Sequence, residues 1–375
     1  MSFEVKGWCP GAHRPMMSGD GLVVRVRPRL ARLSAAQVLG LCAAAQRHGA
    51  GLIDLTNRAN LQIRGVGQDT WPALIDDLAA LDLLDDDPEQ ESRRNVLVEP
   101  LWVAGGDTHR LALEVLARLA ELPDLPAKMG IAIDTGSRPV LRDASADFRF
   151  ERSSAGRVML RADGRATGVE LAPGTEVDTL IRLAQWFIDT GGAQAGRMAR
   201  HTAPLPDWAQ GHAVPALPRA PLAPGPHALG AVHGLAFGQV RAADLAQAMR
   251  ASGASHLRVT PWRVVLLENA APGAQSGLLW DADAPELRID ACPGAPFCPQ
   301  AQGETRDLAR RLAPLVTGTL HISGCAKGCA RARPADVVLT ARDGVYDLSR
   351  GARAGEPPEK SGLTAAQILA QFGAT

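Results

Sequence analysis

The sequence predicts an α+β fold of two pseudo-symmetric halves with a ligand cleft between them. Three observations predict it. A proline-rich passage from Ala203 to Pro226 divides the 375 residues near their middle, and prolines at that density disfavour helix and central strand. The pattern before this passage recurs after it: Gly49 and Gly253 are 204 positions apart, and so are Thr56 and Thr260. Only the second copy carries a close-spaced set of four cysteines.

The elements follow in order. Gly21-Leu-Val-Val-Arg-Val-Arg27 reads as a strand, with Arg25 and Arg27 on one face. A helix follows, with Ser34 and Gln37 as its capping box and Gly49 as its stop. Residues 52–64 read as one long strand. Asp54, Thr56, Arg58, Asn60, Gln62 and Arg64 share one face, and Ile53, Leu55, Ala59, Leu61 and Ile63 line the other. A helix over 110–122, a strand over 129–134 and a hairpin at Ala162-Asp-Gly164 complete the first half. The second half offers a strand over 231–240, a helix over 241–251 stopped by Gly253, and a strand over 257–267. A helix near 305–315, a strand over 319–323 and a hairpin at Arg342-Asp-Gly344 complete it.

Composition narrows the class. Forty basic and forty acidic residues cancel, so no global field favours nucleic acid or an anionic membrane. No apolar stretch approaches the ~18 residues needed to span a bilayer. The opening Met-Ser-Phe-Glu-Val-Lys has no apolar h-region, so a cytoplasmic location is expected.

Cys292-Pro-Gly-Ala-Pro-Phe-Cys298 and Cys325-Ala-Lys-Gly-Cys329 form a C-x5-C … C-x3-C array, while Cys9 and Cys42 stand alone. Four thiolates in two close pairs suit a cubane iron–sulfur cluster. Structural zinc more often shows C-x2-C knuckles, which neither pair has. Two disulfides would suit a secreted chain.

The run His321-Ile-Ser-Gly-Cys-Ala-Lys-Gly-Cys-Ala-Arg331 resembles the second cysteine loop of the sulfite and nitrite reductase superfamily, and Ala291 to Cys298 resembles the first. Leu55-Thr-Asn-Arg-Ala-Asn-Leu-Gln62 and Arg94-Asn95-Val96 resemble two further elements of those enzymes. The resemblance implies a pseudo-two-fold, duplicated nitrite/sulfite reductase-like fold. Ferredoxin-like half-domains would occupy 10–80 and 227–285, a cluster-free α+β domain 90–200, and a cluster-binding domain 286–375, with 203–226 as the linker. It also implies a [4Fe–4S] cluster on Cys292, Cys298, Cys325 and Cys329.

Several arginine forks on one sheet suit a polycarboxylate. Arg25, Arg27, Arg58, Asn60 and Arg64 are therefore expected substrate contacts; the resemblance adds Arg94 and Lys128 from its matching segments and implies a tetrapyrrole rim as the ligand. The reductases carry two lysines in an L-P-R-K-F-K-like strand. Here the strand reads Leu125-Pro-Ala-Lys-Met-Gly130, so only Lys128 remains. That departure, with Cys9-Pro-Gly and Ser18-Gly-Asp-Gly-Leu-Val-Val-Arg25, resembles the precorrin-3B synthase branch. The branch implies O2-dependent hydroxylation of precorrin-3A and a mononuclear non-haem iron beside the cluster.

No residue pattern identifies that iron's ligands. Asp107 and His109 form a D-x-H before a helix, where capping by Asp107 is the plainer role; His321 on the strand leading to the cluster loop is more simply a packed histidine. Gly65-Val-Gly67 lacks the third glycine of a dinucleotide fingerprint. Electrons are thus expected from a separate NAD(P)H-dependent reductase or a ferredoxin. A sirohaem-dependent sulfite or nitrite reductase is the alternative enzyme, and a non-catalytic electron-transfer scaffold the other class.

Overall fold

A computed structural model describes residues 10–85 and 87–373; Cys9 lies outside them. In the first half, β1 (Met16–Ser18), β2 (Gly21–Val26), β3 (Arg32–Ser34), β4 (Leu52–Leu55) and β5 (Leu61–Val66) precede β6 (Val96–Val98), β7 (Ile131–Asp134), β8 (Phe148–Arg152), β9 (Val158–Ala162) and β10 (Val169–Glu170). The second half repeats the series. There β11 (Gly225–His227), β12 (Gly230–Gly234), β13 (Gln239–Arg241), β14 (His256–Val259) and β15 (Val264–Glu268) precede β16 (Ile289–Ala291), β17 (Leu320–Ser323), β18 (Ala335–Arg342), β19 (Val345–Ala352) and β20 (Lys360–Leu363). Among the described residues no helix is long and apolar enough to cross a membrane.

These strands form four five-stranded sheets whose orders reveal the duplication: β1-β2-β5-β4-β13 matches β11-β12-β15-β14-β3, and β10-β9-β8-β7-β6 matches β20-β19-β18-β17-β16. The half-domains exchange a strand, since β3 pairs with β14 and β13 with β4. In each copy a left-handed residue, Leu30 (φ 52°) or Phe237 (φ 58°), turns the chain just before the exchanged strand. The Ala35–His48 helix, capped by Ser34 and Gln37, packs beside the Ala242–Ser252 helix. Leu33, Ile53 and Ile63 of one half share a single core with Leu257 and Leu267 of the other.

Residues 52–64 are not the single strand that alternation suggests. β4 and β5 are an antiparallel hairpin, with Asp54 opposite Gln62. Thr56 Oγ1 accepts the N–H groups of Arg58 (3.3 Å) and Asn60 (3.1 Å), and Ala59 turns at φ 52°. Residues 257–267 fold likewise: Thr260 accepts from Trp262 N–H, and Arg263 turns at φ 62°, 204 positions after Ala59. Alternation hid the turn within 52–64, because a hairpin folds a polar face onto itself without breaking the period. The counterpart of the Arg342-Asp-Gly344 hairpin is the β8–β9 turn, not the one at Gly164. The proline-rich passage wraps the first half in extended form. Ala216 N–H donates to Arg152 O, Arg219 N–H to Pro139 O, and residues 213 and 215 make isolated bridges to Gly168 and Ser153.

His233 on β12 is fully buried against Trp280, with ring centroids 5.1 Å apart, and neither ring nitrogen has a hydrogen-bond partner. Burial pulls its pKa down to about 4. A histidine depressed in the folded state stabilises the fold fully above its unfolded pKa and loses that contribution as pH falls toward the folded value. Stability should therefore drop by on the order of 3 kcal/mol between pH 7 and pH 4 from this residue alone. Urea unfolding of His233→Leu at both pH values should show that much less pH dependence.

Candidate functional site

Strand order brings the two cysteine loops together. β16 and β17 are parallel neighbours in a register that pairs Ala291 with Ile322. Parallel strands need a crossover, supplied here by the Arg306–Leu312 helix, so their carboxyl ends lie side by side. The loop Cys292–Cys298 leaves one end and Cys325–Cys329 the other, the setting in which open α/β sheets bind ligands. Gly324 N–H donates to Cys292 Sγ at 3.1 Å. Cys298 N–H donates to Gly294 O, and Gln302 N–H to Gly324 O, tying the loops together.

Burial pushes the Cys292 and Cys329 thiols upward. Gly324 and Gly294 N–H groups offset this at Cys292 and Lys327 at Cys329, and charge on the neighbouring cysteines adds to the rise at both. Cys329 is exposed and the other three are partly covered. Among the described residues no three His, Cys, Asp or Glu side chains are close enough to share one metal ion. Thiolates that each cap a different iron of a cubane need not share one. Four soft donors within electrostatic reach of one another, with N–H groups aimed at sulfur, fit a [4Fe–4S] cluster.

The first copy keeps the scaffold without this chemistry. Val98 pairs with Ile133 as Ala291 does with Ile322, and the chain continues there through buried Glu99 and Asp134. Burial raises both carboxyls, and Arg219 from the proline-rich wrap counters it.

The polar face of the first half-domain sheet looks toward the cysteine-bearing domain. Arg25 on β2 lies opposite Gln62. Asp54 accepts from Gln239 at 2.7 Å and pairs with Arg306 at 3.5 Å. Arg58, half-buried in the hairpin turn, donates to Lys128 O at 2.5 Å, and Asn60 is buried beside it. Arg27, Arg64 and Arg94, expected as open cleft arginines, are held by carboxylates of the chain itself. Arg27 pairs with Glu91, and Arg94 with Asp85 at 2.7 Å while donating to Arg27 O. Arg64 pairs with Asp20 at 2.8 Å and donates to Phe297 O at 3.1 Å. Asp54 and Arg306 were not legible as site residues, because the contact between them bridges domains, and neither was Asp20, whose partner Arg64 lies 44 positions away. A cavity of about 350 Å³ lies among Arg64, Gln239, Arg306 and the Pro293–Phe297 loop.

The remaining candidates are engaged. Asp107 does not cap its helix but pairs with Arg152 at 2.7 Å. His109 stacks on Trp102 and accepts Gly105 N–H. His321 is fully buried beneath Gly328, its ring nitrogens unpartnered and its pKa pulled by burial to about 4. The described residues offer no ligand set for a mononuclear iron. At Gly130 a Cβ would lie 3.0 Å from Asn95 O, so the missing second lysine could not return without displacing that segment.

Residues 14–81 match the nitrite/sulfite reductase ferredoxin-like half domain. The chain is 32% identical to a precorrin-3B synthase from Sinorhizobium sp. over 413 aligned residues, which span 98% of this chain and 88% of that protein. It also superposes on the structure of the Mycobacterium tuberculosis NirA protein with a TM-score of 0.61 at 18% identity, covering 93% of this chain and 79% of the other. That last likeness speaks to the fold alone.

Proposed function

The chain belongs to the precorrin-3B synthase family and is an oxidoreductase, and from that premise we propose that it hydroxylates precorrin-3A at C20 with O2 and closes a ring-A acetate onto C1 as a γ-lactone. One oxygen atom enters the macrocycle and the other leaves as water. The two electrons and two protons come from a separate NAD(P)H-dependent reductase or a ferredoxin, in the reducing cytoplasm that thiol ligands require. The observation that carries the reading is a four-cysteine site beside a basic sheet face, in a chain related over almost its whole length to a precorrin-3B synthase.

Cys292, Cys298, Cys325 and Cys329 would hold a [4Fe–4S] cluster, which supplies single electrons. The chain's own contribution is orientation. Arg25 on the sheet face and Lys128, half-buried and fixed through its carbonyl by Arg58, would meet carboxylates of the rim. Charge-assisted contacts shielded from water contribute about 1.5–3 kcal/mol each. Lys128→Ala should therefore weaken precorrin-3A binding by about one to two orders of magnitude in an anaerobic titration. Unchanged affinity would remove Lys128 from the site.

The deciding experiment adds precorrin-3A anaerobically to reduced protein and then admits 18O2. One labelled atom in the product supports the synthase. Reduction of sulfite or nitrite by a sirohaem-containing preparation, with no label in the macrocycle, replaces it with the reductase reading.

A further inference from the structure

Three hydrogen-bond donors from the amino-terminal half-domain converge on one carbonyl of the far domain's cysteine loop. Phe297 O accepts Ser18 Oγ–H at 2.6 Å, Arg64 Nη2–H at 3.1 Å and Gly19 N–H at 3.2 Å. Phe297 is the residue before Cys298. The donors are themselves fixed. Ser18 and Gly21 pair across the tight β1–β2 turn, which places Gly19 on the loop, and a Cβ at Gly19 would lie 2.1 Å from Pro296 O. Asp20 grips Arg64 through Nε and one Nη2 hydrogen at 3.2 and 2.8 Å, and the second Nη2 hydrogen is shared between Phe297 O and Ser18 Oγ. The Arg64 side chain is only 8% exposed.

We infer that the Ser18–Gly19–Arg64 group is an inter-domain clasp that positions Cys298 as a cluster ligand, so that Arg64 serves cluster retention and not substrate affinity. The inference rests on the reading of the four cysteines as cluster ligands. A carbonyl with two lone pairs that meets three donors, one of them charged, is held more firmly than one in an ordinary turn. Cys298 N–H donates back to Gly294 O at 2.8 Å, so fixing Phe297 O fixes the peptide that carries the Cys298 side chain. The amino-terminal half-domain therefore closes the loop on which the fourth quarter of the chain depends. Cluster retention becomes a property of both halves together, although all four ligands belong to one.

The test loads the full-length protein anaerobically with ferrous iron and sulfide and follows bleaching under excess chelator. Arg64→Met and Gly19→Ala should lose the chromophore roughly tenfold faster than the parent, and Ser18→Ala severalfold faster, the range expected for losing one such contact. Arg64→Lys, which keeps a charged donor, should recover most of the retention. In cluster-free protein, alkylation of Cys298 should quicken severalfold in Arg64→Met while that of Cys329 stays unchanged, a readout that general destabilisation would not separate. Bleaching of all three variants at the parent's rate would overturn the clasp, as would lost precorrin-3A affinity in Arg64→Met with retention intact. A parent chain that takes up no iron and sulfide would instead overturn the cluster reading itself.

Discussion

Replacement of any one of Cys292, Cys298, Cys325 or Cys329 by Ser is expected to bleach the broad visible absorption of the loaded protein and to abolish product formation. A cubane needs a ligand at each corner, and a missing thiolate leaves one iron uncapped. The Cys42→Ser change should do neither. Cys42 lies buried in the shared core, its thiol pushed up to about 12 by burial, away from both cysteine loops. Iron and sulfide analysis with visible spectra of the five variants checks this. A fully loaded Cys325→Ser protein would break the ligand assignment at that position.

The second large effect concerns stability. Glu268 on β15 accepts from Arg32 at 2.9 and 2.6 Å and from Arg258, and Arg258 also donates to Pro100 O and Trp102 O at 2.7 and 2.9 Å. Both guanidinium groups lie over the Trp102 ring. Three segments thus meet on one buried carboxylate: exchanged strand β3, the second half-domain, and the Pro100–Trp102 loop. Burial alone would raise the Glu268 carboxyl, but hydrogen bonds from the two arginines outweigh it and hold the group down at about 2. Removing one partner of a buried pair costs about 3–5 kcal/mol, because the remaining charge is left uncompensated. Glu268→Ala should lose that much in denaturant unfolding at pH 7. For the parent, the contribution is present above the unfolded pKa and is lost as pH falls from about 4.5 toward about 2. A variant as stable as the parent at pH 7 would show that the triad contributes nothing net.

This triad also explains why only one of the two pseudo-equivalent clefts is a candidate site. On the second sheet, Arg258 and Glu268 satisfy each other against Trp102 and close the polar face. On the first, Arg25, Asp54 and Gln62 turn toward the cysteine domain.

Duplication was legible from sequence because Gly49 and Gly253, and Thr56 and Thr260, share an offset of 204 positions; the structure adds that the two threonines accept N–H groups in equivalent turns, with Ala59 and Arg263 both left-handed. The capping box at Ser34 and the stop at Gly253 are local signals, decided within a few residues, and they hold. The cysteine spacing is also a local signal, and the proposed ligand set starts from it. The arginine face was a different kind of inference. Alternation reports which face a side chain takes, but not which carboxylate meets it there. Glu91, Asp85 and Asp20, which occupy Arg27, Arg94 and Arg64, lie 64, 9 and 44 positions away. The sequence by itself determined the repeat, the helix caps and the close spacing of four thiols at Cys292, Cys298, Cys325 and Cys329, because these depend on residue type and short spacing. Only the tertiary structure decided the exchange of β3 and β13, the hairpin inside residues 52–64 and the carboxylates that hold Arg27, Arg64 and Arg94, because each depends on which segments meet in the fold.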